Sequence, residues 1–199
     1  MFVSDEPEFS QLSRMVSDGD WAIDVGANVG FYTKRLAELV GPKGRVLAFE
    51  PVPETFVLLA NIIESCRLSN VTLFNAALSD ATNVVAMRVP VYESTGLKNY
   101  YQAHLSSADD GSLKVLTLRL DSLHIPNSVR LIKIDAEGHE LSVLKGMRET
   151  LARNHPILIV EMPCPEVGEM LRSLDYTGIR LTGSPNIVFS RSDARWEEL

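Results

Sequence analysis

The stretch Trp21-Ala22-Ile23-Asp24-Val25-Gly26-Ala27-Asn28-Val29-Gly30 limits what this chain can fold into more than any other. A short apolar run carrying an acid near its end passes through two glycines. It then enters a segment whose apolar residues recur at helical period. A strand feeding a glycine turn and then a helix is the opening of a strand–helix–strand unit, because a parallel partner strand can be reached only by a crossover.

The residues that follow repeat this alternation. Phe31, Leu36, Leu39 and Val40 predict a helix closed by Gly41-Pro42. Arg45 to Glu50 reads as a strand. Pro53 opens a helical stripe of Phe56, Leu59, Ala60 and Ile63 that runs to about Cys66. Val71 to Leu78 is almost continuously apolar, which predicts a strand buried on both faces. A short amphipathic helix over Ser4 to Val16 precedes the first strand. Further on, strands are expected over Leu131 to Ile134 and Ile157 to Glu161, with helices over about His139 to Arg153 and Glu166 to Leu174. Gly178 to Thr182 and Ile187 to Ser190 form a closing antiparallel hairpin across Gly183-Ser184-Pro185-Asn186.

One region breaks the rhythm. Between Ala81 and Leu120, two strand-like runs, Val84 to Val91 and Leu113 to Leu120, flank a polar loop holding Tyr92, Tyr100, Tyr101 and His104. This reads as an inserted hairpin whose Tyr100, Tyr101 and His104 are candidates for substrate contact. The whole pattern predicts an α/β chain with a doubly wound, Rossmann-like sheet. The sheet is mostly parallel, with a C-terminal antiparallel hairpin, and residues 1–199 form a single domain.

Composition narrows the class of partner. The formal net charge of −7 argues against a nucleic-acid binder, which needs a basic face. Apolar runs such as Ile157 to Val160 are too short to span a bilayer. Met1-Phe2-Val3-Ser4-Asp5-Glu6 has no basic segment followed by an apolar core. Cys66 and Cys164 lack metal-ligand spacing and read as free thiols of a reducing compartment, so a cytoplasmic location is expected.

In doubly wound sheets, ligands bind at the carboxyl ends of the strands. Here those ends carry Asp24, Glu50, Asn75, Asp135 and Glu161, each following an apolar run. Gly26 and Gly30 allow a tight turn and close approach of backbone to ligand. Asn28 stands where a second glycine is common, so the G-x-G-x-x-G dinucleotide fingerprint is missing. Asp24 suits a ligand bearing an ammonium group better than one bearing a pyrophosphate. Glu50 sits where an acid reaches ribose hydroxyls. An ammonium, a ribose and no phosphate describe S-adenosylmethionine. A second constellation, Asp135-Ala136-Glu137-Gly138-His139-Glu140, offers two carboxylates two residues apart and a histidine. These could act as a general base, a divalent-metal site or a clamp on substrate hydroxyls. Equally, Glu137 and Glu140 could only favour a helix N-terminus.

Three blocks carry a resemblance: Asp24-Val25-Gly26-Ala27-Asn28-Val29-Gly30-Phe31-Tyr32-Thr33, Phe49-Glu50-Pro51, and Lys133-Ile134-Asp135-Ala136-Glu137-Gly138-His139-Glu140. In this order and spacing the chain resembles the FkbM family of S-adenosylmethionine-dependent methyltransferases. Asn75-Ala76-Ala77-Leu78-Ser79-Asp80 and Leu120-Asp121-Ser122-Leu123 also look like family segments. The resemblance implies the class I methyltransferase fold, with a seven-stranded sheet whose last strand is antiparallel. It implies that Asp24, Gly26, Ala27, Asn28 and Gly30 hold the methionine part of the cofactor. Glu50 and Pro51 would lie at the ribose, and Ala76 and Ala77 beside the adenine. Asp135 would touch the cofactor and face methyl transfer, with Glu137 and His139 nearby. It further implies O-methylation of a hydroxyl on a small molecule or glycan, a sugar or secondary metabolite. A base must then take the hydroxyl proton; Asp135 is the first candidate, followed by Glu161 and His139. A magnesium ion held by these acids is the less favoured alternative. A dinucleotide-dependent oxidoreductase and a non-catalytic cofactor-binding protein are the competing classes. The acceptor and the oligomeric state are not legible.

Overall fold

The computed structural model describes residues 6–92, 96–106 and 113–191. The expected start of the first helix at Ser4 lies outside that range; α1 spans Pro7–Met15. The alternation then runs β1 (Trp21–Val25), α2 (Phe31–Val40), β2 (Arg45–Phe49), α3 (Pro53–Ser65) and β3 (Val71–Phe74). Gly30 caps α2 in the left-handed region, and Gly41 ends it. Pro53 occupies the first turn of α3, where its missing N–H costs nothing.

The inserted region comprises β4 (Ala77–Leu78), β5 (Asn83–Arg88), β6 (His104–Ser106) and β7 (Leu113–Leu118). Regular alternation resumes with β8 (Val129–Ile134), α4 (Glu140–Lys145), α5 (Arg148–Asn154), β9 (Ile157–Glu161) and α6 (Pro165–Arg172). It closes with β10 (Thr177–Ile179) and β11 (Asn186–Ser190).

The main sheet has seven strands in the order β10-β11-β9-β8-β1-β2-β3. β11 is antiparallel to both its neighbours, while the pairs from β9 across to β3 are parallel. The expected closing hairpin is therefore present. Side-chain alternation along the strands divides the core in two. Ala22, Val46, Leu131 and Ile159 meet Phe9, Leu12, Leu36 and Val40 of α1 and α2, and Ala48 meets Leu59 and Ile63 of α3. Ile23, Leu47, Ile132 and Leu158 face Val143, Leu144, Leu151, Val167 and Leu171 of α4, α5 and α6. Helices thus cover both faces, and the strand order switches between β1 and β8: β2 and β3 build outward from one side of β1, and β8 and β9 from the other.

Three expectations need correction. Val71 to Leu78 is not one strand buried on both faces. β3 ends at Phe74, lies at the sheet edge and is only half-buried. Asn75 breaks the run by donating its side-chain amide to Glu50 O at 2.8 Å and Pro51 O at 3.1 Å. Ala77-Leu78 then pairs with Thr117-Leu118 instead. The insertion is consequently more than a hairpin. The antiparallel β5–β7 pair is there, but β4 and β6 widen it into a second sheet ordered β4-β7-β5-β6. Its Met87 and Val115 bury against Val52. The single helix expected over His139 to Arg153 is two, α4 and α5. They break near Gly146, where a Cβ would lie 1.9 Å from the Ser79 carbonyl oxygen.

Candidate active site

A cavity of about 400 Å³ opens where the carboxyl ends of β1, β2, β8 and β9 meet. Its walls include Asp24, Glu50, Asp135 and Glu161, the four acids expected at strand ends. Gly26, Ala27, Asn28, Pro51, Ala77, Glu137 and His139 also line it. Met87, Tyr100 and Leu105 of the inserted sheet and its loop close it from above. Gly30 and Ala76 are not part of the wall, and neither is His104. The side chain of Tyr101 lies outside the described residues.

The first turn is fixed mainly by backbone. Gly26 N and Ala27 N both donate to Phe49 O at 2.9 Å, and Asp135 N donates to Val25 O at 3.0 Å. Gly26 has φ 74°, and a Cβ there would lie 1.8 Å from the Asp135 carbonyl oxygen. Its glycine is thus demanded by strand β8 as well as by any ligand. Gly30 serves helix packing, since a Cβ would meet Leu59 Cδ1 at 2.5 Å. Asn28 takes the left-handed conformation (φ 49°), which asparagine tolerates better than most side chains.

Glu50 ties this turn to the second strand. Its Oε2 accepts from Asn28 N at 2.8 Å, and its Oε1 accepts from Val52 N and Thr55 Oγ1, both at 2.8 Å. A carboxylate offers roughly four acceptor positions, so one on Oε2 is left to face the cavity. Burial raises its pKa. Asp24 is 2% exposed and accepts a hydrogen bond from Thr33 Oγ1 of α2. Burial pushes its pKa up to about 6, against the pull of Thr33 and Lys133.

The opposite wall is a cluster of charge. Asp135 and Glu161 follow the paired residues Ile134 and Val160 of β8 and β9, so their carboxyls stand side by side on the wall, placed for a hydrogen bond between them. Such a bond needs a proton on one of them. That bond, then burial, pushes Glu161 up to about 8. Lys133 Nζ lies 3.3 Å from Asp135 Oδ2 and 5.1 Å from the centre of the Tyr32 ring. The Tyr32 hydroxyl donates to Glu6 at the start of α1. Glu137 is raised by burial and by Asp135, with His104 pulling the other way. His139 Nε2 is 2.8 Å from Ser79 Oγ, and burial lowers its pKa. Glu140 accepts from Ala136 N at 3.2 Å and Gly138 N at 3.0 Å, so it braces the loop that carries Asp135 and Glu137.

Three polar wall residues had not been singled out from sequence: Lys133, Tyr32 and Glu6. A lysine inside the apolar run Leu131 to Ile134 was a usable signal, because a charge is rarely buried without a partner. Tyr32 sits in the first helical turn after Gly30, where its role depends on Lys133. Nothing local marks Glu6. Among the described residues no group of three or more His, Cys, Asp or Glu is placed to hold a metal ion.

The Methyltransferase FkbM domain model matches residues 24–181. The hexuronic acid methyltransferase AglP of Haloferax volcanii is 30% identical over 70% of this chain and 55% of its own length. The 2-O-methyltransferase NoeI of Sinorhizobium fredii is 28% identical over 66% of this chain and 58% of its own. The chain therefore spans a little over half the length of these curated relatives. A crystal structure of an FkbM methyltransferase from Methylobacillus flagellatus superposes with a TM-score of 0.64 at 19% identity, covering 88% of this chain and 44% of that one. The fold is the Rossmann-like fold of class I methyltransferases. With the family model matching most of its length, the chain belongs to the FkbM methyltransferase domain family.

Proposed function

We propose that the chain is an S-adenosylmethionine-dependent methyltransferase that methylates a hydroxyl of a sugar or secondary metabolite. The convergence of Asp24, Glu50, Asp135 and Glu161 on one cavity carries the reading. The donor set fits the cofactor at each part. Asp24 is a buried carboxyl whose ionised form a cationic ligand would stabilise. Glu50 retains an acceptor position for a ribose hydroxyl. Phe49, Val52, Leu78, Met87 and Leu105 form an apolar wall suited to a flat base. Pyrophosphate would meet carboxylates where it needs N–H groups, which disfavours a dinucleotide.

When bound, the cofactor supplies a methyl group already activated as a sulfonium. The chain contributes position, exclusion of water and a proton acceptor. Asp135 and Glu161 hold one proton between them, so the ionised member can accept the proton of the attacking hydroxyl. Asp135, 3.3 Å from the Lys133 ammonium, is the first candidate for that base. His139, held by Ser79, is the less suited base.

The acceptor is a small molecule or glycan rather than nucleic acid; the net charge of −7 and the acidic wall support this. The names of the two curated relatives point to sugar hydroxyls. Residues 1–199 act as one domain in a reducing, cytoplasmic setting, a reading supported by the free thiols Cys66 and Cys164. The test is incubation with methyl-labelled S-adenosylmethionine and a panel of hydroxylated glycosides and metabolites. Label in an acceptor supports the reading. Hydride transfer from NADH to an acceptor, with no methyl transfer, overturns it.

A further inference from the structure

Among the described residues, Lys133 is the one ammonium on a wall that also carries Asp24, Asp135, Glu137 and Glu161. It is already spoken for, at 3.3 Å from Asp135 and over the Tyr32 ring. Four carboxyls facing one buried ammonium cannot all be ionised at low cost. Asp135 and Glu161 come next after the paired Ile134 and Val160 of parallel strands β8 and β9, and two carboxyls set side by side at one cavity wall meet this cost by holding one proton between them. A second positive charge entering beside them removes the reason for keeping that proton.

We propose that the Asp135–Glu161 pair, with Lys133 as its fixed counter-charge, is a specificity determinant that distinguishes the sulfonium cofactor from its neutral thioether product by giving up the shared proton to the former. This rests on the methyltransferase reading above. S-adenosylmethionine and S-adenosylhomocysteine share their adenosine, ammonium and carboxylate and differ only in the charged methyl centre. Any difference in proton release between them reports that charge. The charged groups facing the pair are Lys133 of β8, Asp24 of β1, Glu50 after β2 and Glu137 of the loop after β8. His104 of β6 reaches it only through Glu137. The consequence for turnover is that the product, lacking the charge, lets the pair recover its proton and is held less tightly.

Calorimetric titration in two buffers of different ionisation enthalpy counts the protons directly and needs no acceptor. With Glu161 free at about 8, the protein should release close to one proton per S-adenosylmethionine bound near pH 7. S-adenosylhomocysteine should release far less. Affinity for S-adenosylmethionine should weaken about tenfold between about pH 8 and pH 6.5, and that for S-adenosylhomocysteine by no more than about threefold. Glu161→Gln should abolish the difference in proton release. Glu54→Gln, the same carboxyl-to-amide replacement at an exposed salt bridge to Lys98, should preserve it. Equal proton counts for the two ligands would overturn the proposal and leave the methyltransferase reading standing. Binding of neither would overturn that reading as well.

Discussion

Asp24 shows what a single residue costs and supplies here. It is buried on β1 with a hydroxyl and a distant ammonium for company, and its pKa stands near 6 against 3.8 in the unfolded chain. A carboxyl raised on folding contributes stability that is complete below the unfolded value and is lost as pH rises through the folded one. At neutral pH the ligand-free protein therefore carries a penalty of about 2 to 3 kcal/mol at this side chain. Asp24→Asn should stabilise the ligand-free protein by up to that amount at pH 7.5 and by almost nothing near pH 4, as measured by urea denaturation at the two pH values. The same substitution should weaken S-adenosylmethionine binding by at least about tenfold, since a charge-assisted contact is lost. A variant less stable at pH 7.5 would contradict the electrostatic account. Residue identities at strand ends were legible because an acid after an apolar run is conspicuous. Lys133, Tyr32 and Glu6 were harder, because their meaning lies in contacts between β8, α2 and the start of α1. Gly30 was legible as a required glycine but not for its reason, which is the side chain of Leu59.

At the scale of elements, the junction between β1 and β8 is the tightest point of the site. Gly26→Ala places a methyl group against the Asp135 carbonyl in a left-handed conformation and should cost about 3 kcal/mol or more. Gly138→Ala, also left-handed (φ 88°) but with nothing within 4 Å, should cost about 1 kcal/mol. Denaturation midpoints of the two variants compare them directly, and similar losses would mean that the close approach is unimportant. The inserted sheet makes a second comparison. Met87 is 4% exposed, packs with Val52 and Val115, and lines the cavity. Met87→Ala should lose about 2 to 4 kcal/mol of stability, with a drop in cofactor affinity beside it. The regular elements were readable because period and turn chemistry are local. The small sheet was not, because β4 is a two-residue strand taken from the end of an apolar run that looked continuous. Only its pairing with β7, forty residues later in the chain (Ala77 with Thr117), defines it.

For the molecule as a whole, the layered sheet gathers acids from β1, β2, β8 and β9 onto one rim, and the overall charge of −7 has the same sign. Non-specific nucleic-acid binding draws on phosphate neutralisation and has typical dissociation constants of about 10⁻⁴ to 10⁻⁶ M at physiological salt. This chain should fall at or beyond the weak end of that range in a filter-binding assay with structured RNA. Micromolar retention would contradict the proposed acceptor class. The doubly wound architecture was legible from alternation alone, whereas the acceptor is not written in any local pattern, because it depends on which side chains project past Asp135 and Glu161. The cofactor is the central claim, and one calorimetric comparison tests it: S-adenosylmethionine against NAD, each titrated into the chain at neutral pH. Saturable micromolar binding of S-adenosylmethionine with none of NAD is the predicted result; micromolar binding of NAD with none of S-adenosylmethionine would contradict the account.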